Sequence, residues 1–421
     1  MHLEKMRAVP EPMVRYRAAG EQIYLAKDPA LIHEVLVSKN RHFNKGRSLE
    51  RARLVFGNGL VMSEGTFYRR QRRLMQPAFH SRRIHSFGET MTRQADRLIA
   101  EWQDGETREL SADMMRLTLR IVCETLLGAD VDSETVKVRQ AMRTLMGLFP
   151  LVMLPFGHLL RYLPVPATKN LRNGRAELDS ILYPLIEARR KEGTDHGDLL
   201  SMLLAAQDPE SAKAEGMTNQ EVHDEVMIIF LAGHETTSVA FCWTWYLLAQ
   251  HPEIEARLHT EVDQVLESER LPTAADLPRL EYTRKVVTES MRIYPPVWAI
   301  TRRAAEHCQI GGYDVPPRTL VISSQWILHR NPEHFEQPLE FRPERWTAEL
   351  ESKLPKFAYF PFGGGMRGCI GENFAWMELA LVVATIARRW RFCVDPKAKI
   401  VPNPLFTLGL KHGLPVVLGR R

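Results

Sequence analysis

A chain of 421 residues, 44% hydrophobic and 25% charged, has the make-up of an ordinary globular protein with room for a sizeable core. Its net charge of +5 is small for that length and gives no ground for nucleic-acid binding. Five scattered cysteines (Cys123, Cys242, Cys308, Cys369 and Cys393) with no CxxC pair exclude a disulfide framework and a structural zinc site, and fit a reducing, cytoplasmic setting.

The N-terminus, Met1-His-Leu-Glu-Lys-Met-Arg, lacks the apolar run of a signal peptide, and no uncharged stretch is long enough to span a bilayer, so no membrane anchor is evident. After a short strand-like piece, Ile23-Tyr-Leu-Ala, the first two-thirds reads mostly as helix. Apolar residues recur at spacings of three and four across Ala30 to Ser38, Phe87 to Trp102, Ala112 to Leu127 and Ala176 to Glu192. A short linker-like patch, Gln207 to Met217, precedes the most informative element, a helix from Asn219 to Gln250. The capping box Thr218-Asn-Gln-Glu221 opens it and His251-Pro252 closes it. At ~1.5 Å per residue it runs about 48 Å, enough to cross a domain.

The middle of that helix, Phe230-Leu-Ala-Gly-His-Glu-Thr-Thr, places glycine, a carboxylate and two hydroxyls inside an apolar rod. Glycine there costs about 1 kcal/mol against alanine, and threonine can bond back to the preceding turn and distort the ladder. Residues that weaken a helix at its buried centre mark a site. From about Pro295 the texture changes to β-like pieces punctuated by Gly and Pro: Trp298-Ala-Ile-Thr, Gln309-Ile-Gly-Gly-Tyr and Thr319-Leu-Val-Ile. A last helix, Gly371 to Arg388, is followed by short strand-like runs, and no internal repeat occurs. The pattern predicts a single α+β domain over residues 1–421, predominantly helical.

Just before the last helix lies Phe362-Gly-Gly-Gly-Met-Arg-Gly-Cys369-Ile-Gly371. Its glycines let the backbone adopt positive φ and approach a bulky group closely. Cys369 precedes a helix N-terminus, where free N–H groups and the dipole stabilise a thiolate. Such a thiolate serves as a nucleophile or as a metal ligand. The loop resembles the haem-binding signature of the cytochrome P-450 family, F-x-x-G-x-R-x-C-x-G, met at every fixed position by Phe362, Gly365, Arg367, Cys369 and Gly371.

The resemblance covers nearly the whole chain and implies the P-450 fold: a long central helix over haem b, with small β-sheets. It implies that Cys369 is the axial ligand of the haem iron, that Phe362 tunes the sulfur and that Arg367 pairs with a propionate. Ala232-Gly-His-Glu235-Thr236-Thr237 is similar to the family's oxygen-activating motif, so Glu235 and Thr236 are the expected acid–alcohol pair that relays protons for O–O cleavage. Glu289-Ser-Met-Arg292 matches E-x-x-R, and Phe341-Arg-Pro-Glu-Arg345-Trp346 resembles the family's P-E-R-F segment. Glu289, Arg292 and Arg345 are therefore expected to form a buried structural network, tolerable only if completely paired. Arg302 and Arg72 are the further expected propionate contacts, with Tyr68 where the family's W-x-x-x-R pattern has tryptophan. The lead-in before Ile23 looks shortened, with the first helix and strand reduced or missing.

Family-equivalent pocket segments supply Ala232, Val297, Trp298, Ile300 and Phe406, with Leu145 to Pro166 in the place of the mobile entrance. Such apolar stripes are often plain core, but an apolar mouth suits a hydrophobic small molecule, for which terpenoid, polyketide or fatty acyl compounds are candidates. Arg69, Arg70, Arg72 and Arg73, with Arg367, Arg388 and Arg389, form basic clusters. A family member could use them to steer a ferredoxin or flavodoxin served by an NAD(P)H-dependent reductase, because no flavin or nucleotide-binding segment follows Arg421. Three rivals remain: a peroxygenase or isomerase on the same fold, which would lack the acid–alcohol pair; a non-catalytic haem sensor, indifferent to Thr236→Ala; and a zinc hydrolase. The last fails because Ser238, not histidine, follows His234 by four.

Overall fold

The computed structural model describes residues 6–18, 20–128, 140–141, 144–145, 147–148, 151, 165–211, 215–267 and 270–421. Contacts divide the chain into two compact units, each assembled from separated segments. Met1–Gly46, Ala95–Met114 and Thr236–Arg421 make the first; Arg47–Gln94 and Met115–Glu235 make the second.

Among the described residues, all the strands fall in the first unit. Its main sheet runs in the order Met13–Ala18, Glu21–Ala26, Leu320–Ser323, Ile300–Ala304, Phe43–Asn44. Only the pairing of Glu21–Ala26 with Leu320–Ser323 is parallel. The strand at the start of the chain, expected to be reduced or missing, is present: Met13–Ala18 pairs in full register with Glu21–Ala26. Its signal is the alternation of Val14 and Tyr16 with Arg15 and Arg17, too brief to stand out by period alone. The Gly-Gly of the β-like run near Gln309 is the turn of a hairpin, Cys308–Ile310 with Tyr313–Val315. Gly311 (φ 53°) and Gly312 (φ 79°) both take the left-handed conformation such a two-residue turn demands.

The final helix, Glu372–Ala387, is buried on every side from Met377 to Ala387, as a stretch apolar but for Glu378 and Thr385 requires. Beside it in sequence, Trp390–Val394 joins Pro415–Arg420 and Thr107–Glu109 in a three-stranded sheet.

In the second unit the helix expected from Ala176 begins earlier, at Pro166, and ends at Gly193 in a left-handed cap (φ 66°) after three basic residues. Proline is at home in a first turn, where its missing N–H costs nothing. Asn219–Gln250 starts as predicted: Glu221 N–H donates to Thr218 Oγ1 (3.2 Å) and Thr218 N–H to Glu221 Oε2 (2.8 Å). The first turns of this helix anchor a loop, with Asn58 N–H on Asp224 Oδ2 (2.7 Å) and Leu60 N–H on Glu225 Oε2 (2.8 Å). Nearby, His223 pairs with Asp179 (2.9 Å) and stacks on Tyr183. The expected distortion at its centre is absent, and the element stays α-helical throughout.

Asn219–Gln250 is the one helix among the described residues long and apolar enough to cross a membrane, and 72% of its most apolar window is buried inside the protein. Most of the expected entrance stretch, Leu145 to Pro166, lies outside the described residues.

Candidate active site

The cysteine loop is shaped by backbone. Gly363 N–H donates to Phe360 O (3.0 Å), Gly368 N–H to Gly365 O (3.1 Å) and Cys369 N–H to Phe362 O (2.9 Å). Gly363 (φ 72°) and Gly365 (φ 68°) sit in the left-handed region. Gly365 has a second constraint: a β-carbon there would lie 2.2 Å from the carbonyl oxygen of Leu36, in the π-helical segment Glu34–Ser38. Gly365→Ala is therefore expected to force backbone apart and to lower both the melting temperature and haem content; unchanged values for both would show the close approach to be dispensable.

Cys369 is exposed, and the helix Glu372–Ala387 starts directly behind it with Gly371 as N-cap. The dipole of that helix favours the thiolate. Phe362 lies against Trp376, ring centroids 5.6 Å apart, on the first turns of the same helix. Ile300 packs beside Gly363, and Arg302, next but one on its strand, is buried with one guanidinium nitrogen on Thr301 O (2.9 Å).

Glu289, Arg292 and Arg345 form the network the sequence motifs imply. Glu289 and Arg292 are both 0% exposed and meet in two parallel bonds of 2.8 Å, the bidentate geometry that holds a carboxylate best. Arg345 Nε adds a third at 2.8 Å. The remaining capacity of Glu289 is filled by the Trp346 indole N–H (2.9 Å) and Arg342 N–H (3.1 Å). Arg292 donates onward to the carbonyls of His329 and Pro338, both at 2.7 Å, and Arg345 to that of Glu336 at 2.6 Å. Burial of the pair is thus matched by complete pairing.

Two members of this construction escape motif reading. Trp346 occupies the place of the motif's phenylalanine and uses its N–H on the buried acid. His329, fully buried, accepts from Phe360 N–H at Nε2 (3.0 Å) while its own carbonyl takes Arg292. Burial, reinforced by Arg292, holds its pKa well below the usual value, so it stays neutral. No spacing rule singles out a histidine that works through one ring nitrogen and one carbonyl.

On the long helix Glu235 and Thr236 are half-buried, whereas Thr237 and Ser238 are buried. Gly233 answers to packing: a β-carbon would come 2.9 Å from Val122 on Leu110–Leu127. Thr118 of that helix donates to the His234 carbonyl (2.9 Å). His234 is buried on Phe230 O with its pKa lowered by burial, and no cluster able to hold a metal ion occurs among the described residues. Of the pocket candidates, Ala232, Val297 and Phe406 are half-buried. Trp298 donates to Leu405 O (3.1 Å), tying the segment before the strand Ile300–Ala304 to the hairpin that carries Phe406.

Tyr68 is buried and Arg72 half-buried on Gly65–Met75. The neighbouring charges are less available for docking than composition implies. Arg70 pairs with Glu221 (2.9 Å), Arg73 with Asp208 (3.2 Å) and Glu210 (2.9 Å), and Arg389 with Asp96 (2.7 Å). Much of the basic cluster is neutralised within the protein, which a count of arginines along the chain could not reveal.

An exposed sulfur at a helix N-terminus, a glycine backbone that admits a flat group, and arginines able to meet carboxylates fit a haem-thiolate protein. The comparisons agree. The cytochrome P450 family model matches residues 1–416. Cyclooctat-9-en-7-ol 5-monooxygenase of Streptomyces melanosporofaciens is 40% identical over 381 residues, 90% of this chain and 82% of the relative. Pentalenene oxygenase of Streptomyces avermitilis is 36% identical over 411 residues, 97% of this chain and 90% of the relative. The crystal structure of the cytochrome P450DA haem domain superposes with a TM-score of 0.88 at 27% identity, covering 99% of this chain and 91% of that one. The chain belongs to the cytochrome P450 family. It is a haem-dependent monooxygenase that uses O2 and electrons from a redox partner.

Proposed function

We propose that this enzyme oxygenates a terpenoid, with Cys369 as haem ligand and Glu235 and Thr236 as the proton relay. The geometry of the cysteine loop carries the reading. Haem held by a thiolate supplies the activation of dioxygen. The chain's own residues would hold that group: Arg302, Arg367 and Arg72, the last with Tyr68, would bind propionates, Phe362 would shield the sulfur, and Gly365 lets the loop approach the π-helical segment. Glu235 would take up protons and Thr236 Oγ1 would hand them on, and Ala232, Val297, Trp298, Ile300 and Phe406 are the proposed substrate-contacting residues.

A terpenoid is preferred over a polyketide or fatty acyl substrate because the Streptomyces relatives named above are terpenoid oxygenases. Electrons come from a ferredoxin or flavodoxin reduced with NAD(P)H. The cytoplasm is the proposed location, in keeping with five cysteines that are all free. The chain acts as one domain, since each unit is assembled from separated segments and neither can be excised at a single pair of linkers.

The test is turnover of terpenoid hydrocarbons and alcohols with NAD(P)H and a ferredoxin system, beside fatty acids as controls. Product from terpenoids supports the reading; turnover with peroxide alone would favour a peroxygenase. In the same assay Thr236→Ala is expected to keep consuming NAD(P)H while releasing peroxide or water, with product falling by about 10²-fold, the scale of a lost proton-transfer group. Full coupling in that variant would remove the relay assignment.

A further inference from the structure

The linker-like patch Gln207 to Met217 and the arginines of Gly65–Met75 meet each other in the second unit. Asp208 is only 4% exposed. Arg73 donates to its Oδ1 from Nε (3.3 Å) and Nη2 (3.2 Å), and Arg70 Nε lies 3.6 Å from its Oδ2. Arg70 also donates to Gly216 O (2.7 Å) and to Oε1 of Glu221 (2.9 Å), the capping-box acid of the long helix. The two sides of the patch close on each other: Gln207 pairs with Gly216, and Asp208 N–H donates to Glu215 O (3.0 Å). A β-carbon on Gly216 would lie 2.9 Å from Ala206 O. Arg190 fastens the far end by donating to Met217 O and Asn219 Oδ1, both at 2.8 Å. Burial opposes charge on Asp208, but the Glu210 amide and both arginines hold its pKa below the ordinary carboxylate range, so it stays ionised at neutral pH.

An isolated helix of 11 residues is marginal in water, and Gly65–Met75 has no side-chain cap at its start. Its order therefore comes from what it touches. Tyr68, Gln71, Leu74 and Met75 are buried on one face. Arg70 and Arg73 leave the helix about 150° round from Tyr68 and Arg72, at 3.6 residues per turn. Anchors on both sides of the axis fix its roll, which burial of one face alone fixes less sharply. We propose that Asp208 is a positioning residue: by holding Arg70 and Arg73 it sets the roll of Gly65–Met75, and with it the placement of Arg72 for a haem propionate. The inference rests on Arg72 being a propionate contact, and its test separates the two.

The experiment follows haem transfer from the holoenzyme to excess apomyoglobin, well below the melting temperature of every variant. Arg72→Gln is expected to release haem about tenfold faster, the scale of one lost charge-assisted hydrogen bond. Asp208→Asn and Arg73→Gln should each speed release severalfold, and either serves if the other folds poorly. On the Arg72→Gln background Asp208→Asn should add nothing, because its route of action is already gone. Multiplying effects in that double variant would mean that Asp208 only stabilises the fold, and would overturn the proposal. Wild-type release from Asp208→Asn and Arg73→Gln would overturn it too. Wild-type release from Arg72→Gln refutes the propionate contact itself, and the inference falls with it. The midpoint potential of the iron adds a sign. As a bare charge change, loss of the Asp208 carboxylate raises that potential, whereas drawing Arg72 off a propionate lowers it. A lowered potential in Asp208→Asn is expected; a raised or unchanged one refutes the positioning role.

Discussion

Cys369→Ser abolishes substrate oxygenation while leaving the fold in place. The loop owes its shape to backbone bonds, Cys369 N–H to Phe362 O and Gly368 N–H to Gly365 O, and to the left-handed glycines Gly363 and Gly365. Serine disturbs none of these. It removes the soft sulfur and, because an alcohol stays protonated where a thiol at a helix N-terminus ionises, it removes the anionic ligand as well. The measurement is the absorption spectrum of the dithionite-reduced, carbon-monoxide-bound protein, wild type beside variant. The wild type shows the strongly red-shifted Soret band of thiolate-ligated haem; the variant shows the shorter-wavelength band of a neutral ligand, or no haem. A red-shifted band surviving in Cys369→Ser would assign the ligand elsewhere.

Glu289→Ala is expected to cost a large part of the protein's stability. Glu289 receives Arg292, Arg345, Trp346 and the Arg342 amide, and its removal leaves a fully buried guanidinium without its counter-charge. Breaking a buried pair from one side costs about 3–5 kcal/mol, a large part of the roughly 5–15 kcal/mol that separates folded from unfolded protein. Desolvation already lowers the pKa of Arg345 against the attraction of Glu289, so that arginine too depends on the acid for its counter-charge. The expected outcome is little soluble protein, and a sharply lowered denaturant midpoint in whatever is recovered. A midpoint within the error of wild type would mean that the arginines find other partners, and that the network is not a keystone.

The sequence disclosed most of this architecture because the informative elements are either long or chemically odd. Asn219–Gln250 begins and ends as read, since a capping box and a His-Pro stop are local signals. The cysteine loop is legible because its glycines, arginine and thiol fall at rigid spacings. Illegible features depend on partners far away in the chain. Gly365 meets Leu36, Phe360 meets His329, and Arg73 meets Asp208. The arginines of Gly65–Met75 are a clear case, because charge along a helix is visible in sequence but its neutralisation by a distant loop is not. Glu378, fully buried in Glu372–Ala387, escaped for the opposite reason: a lone acid in an apolar helix looks like a solvent-facing residue until its burial is known.

A hydrogen-bonded line runs from Glu289 through Arg292 to the His329 carbonyl, across the imidazole to Phe360 N–H, and from Phe360 O to Gly363 N–H. The cysteine loop is thus continuous with a fully paired part of the core, and its amides are expected to open with that core. Local breathing at Cys369 is expected to be small, with amide exchange nearer that of a core helix than of a surface loop. In the wild-type protein, protection of the loop amides is then expected to be lost together with that of the core network, a coupling that amide exchange would report.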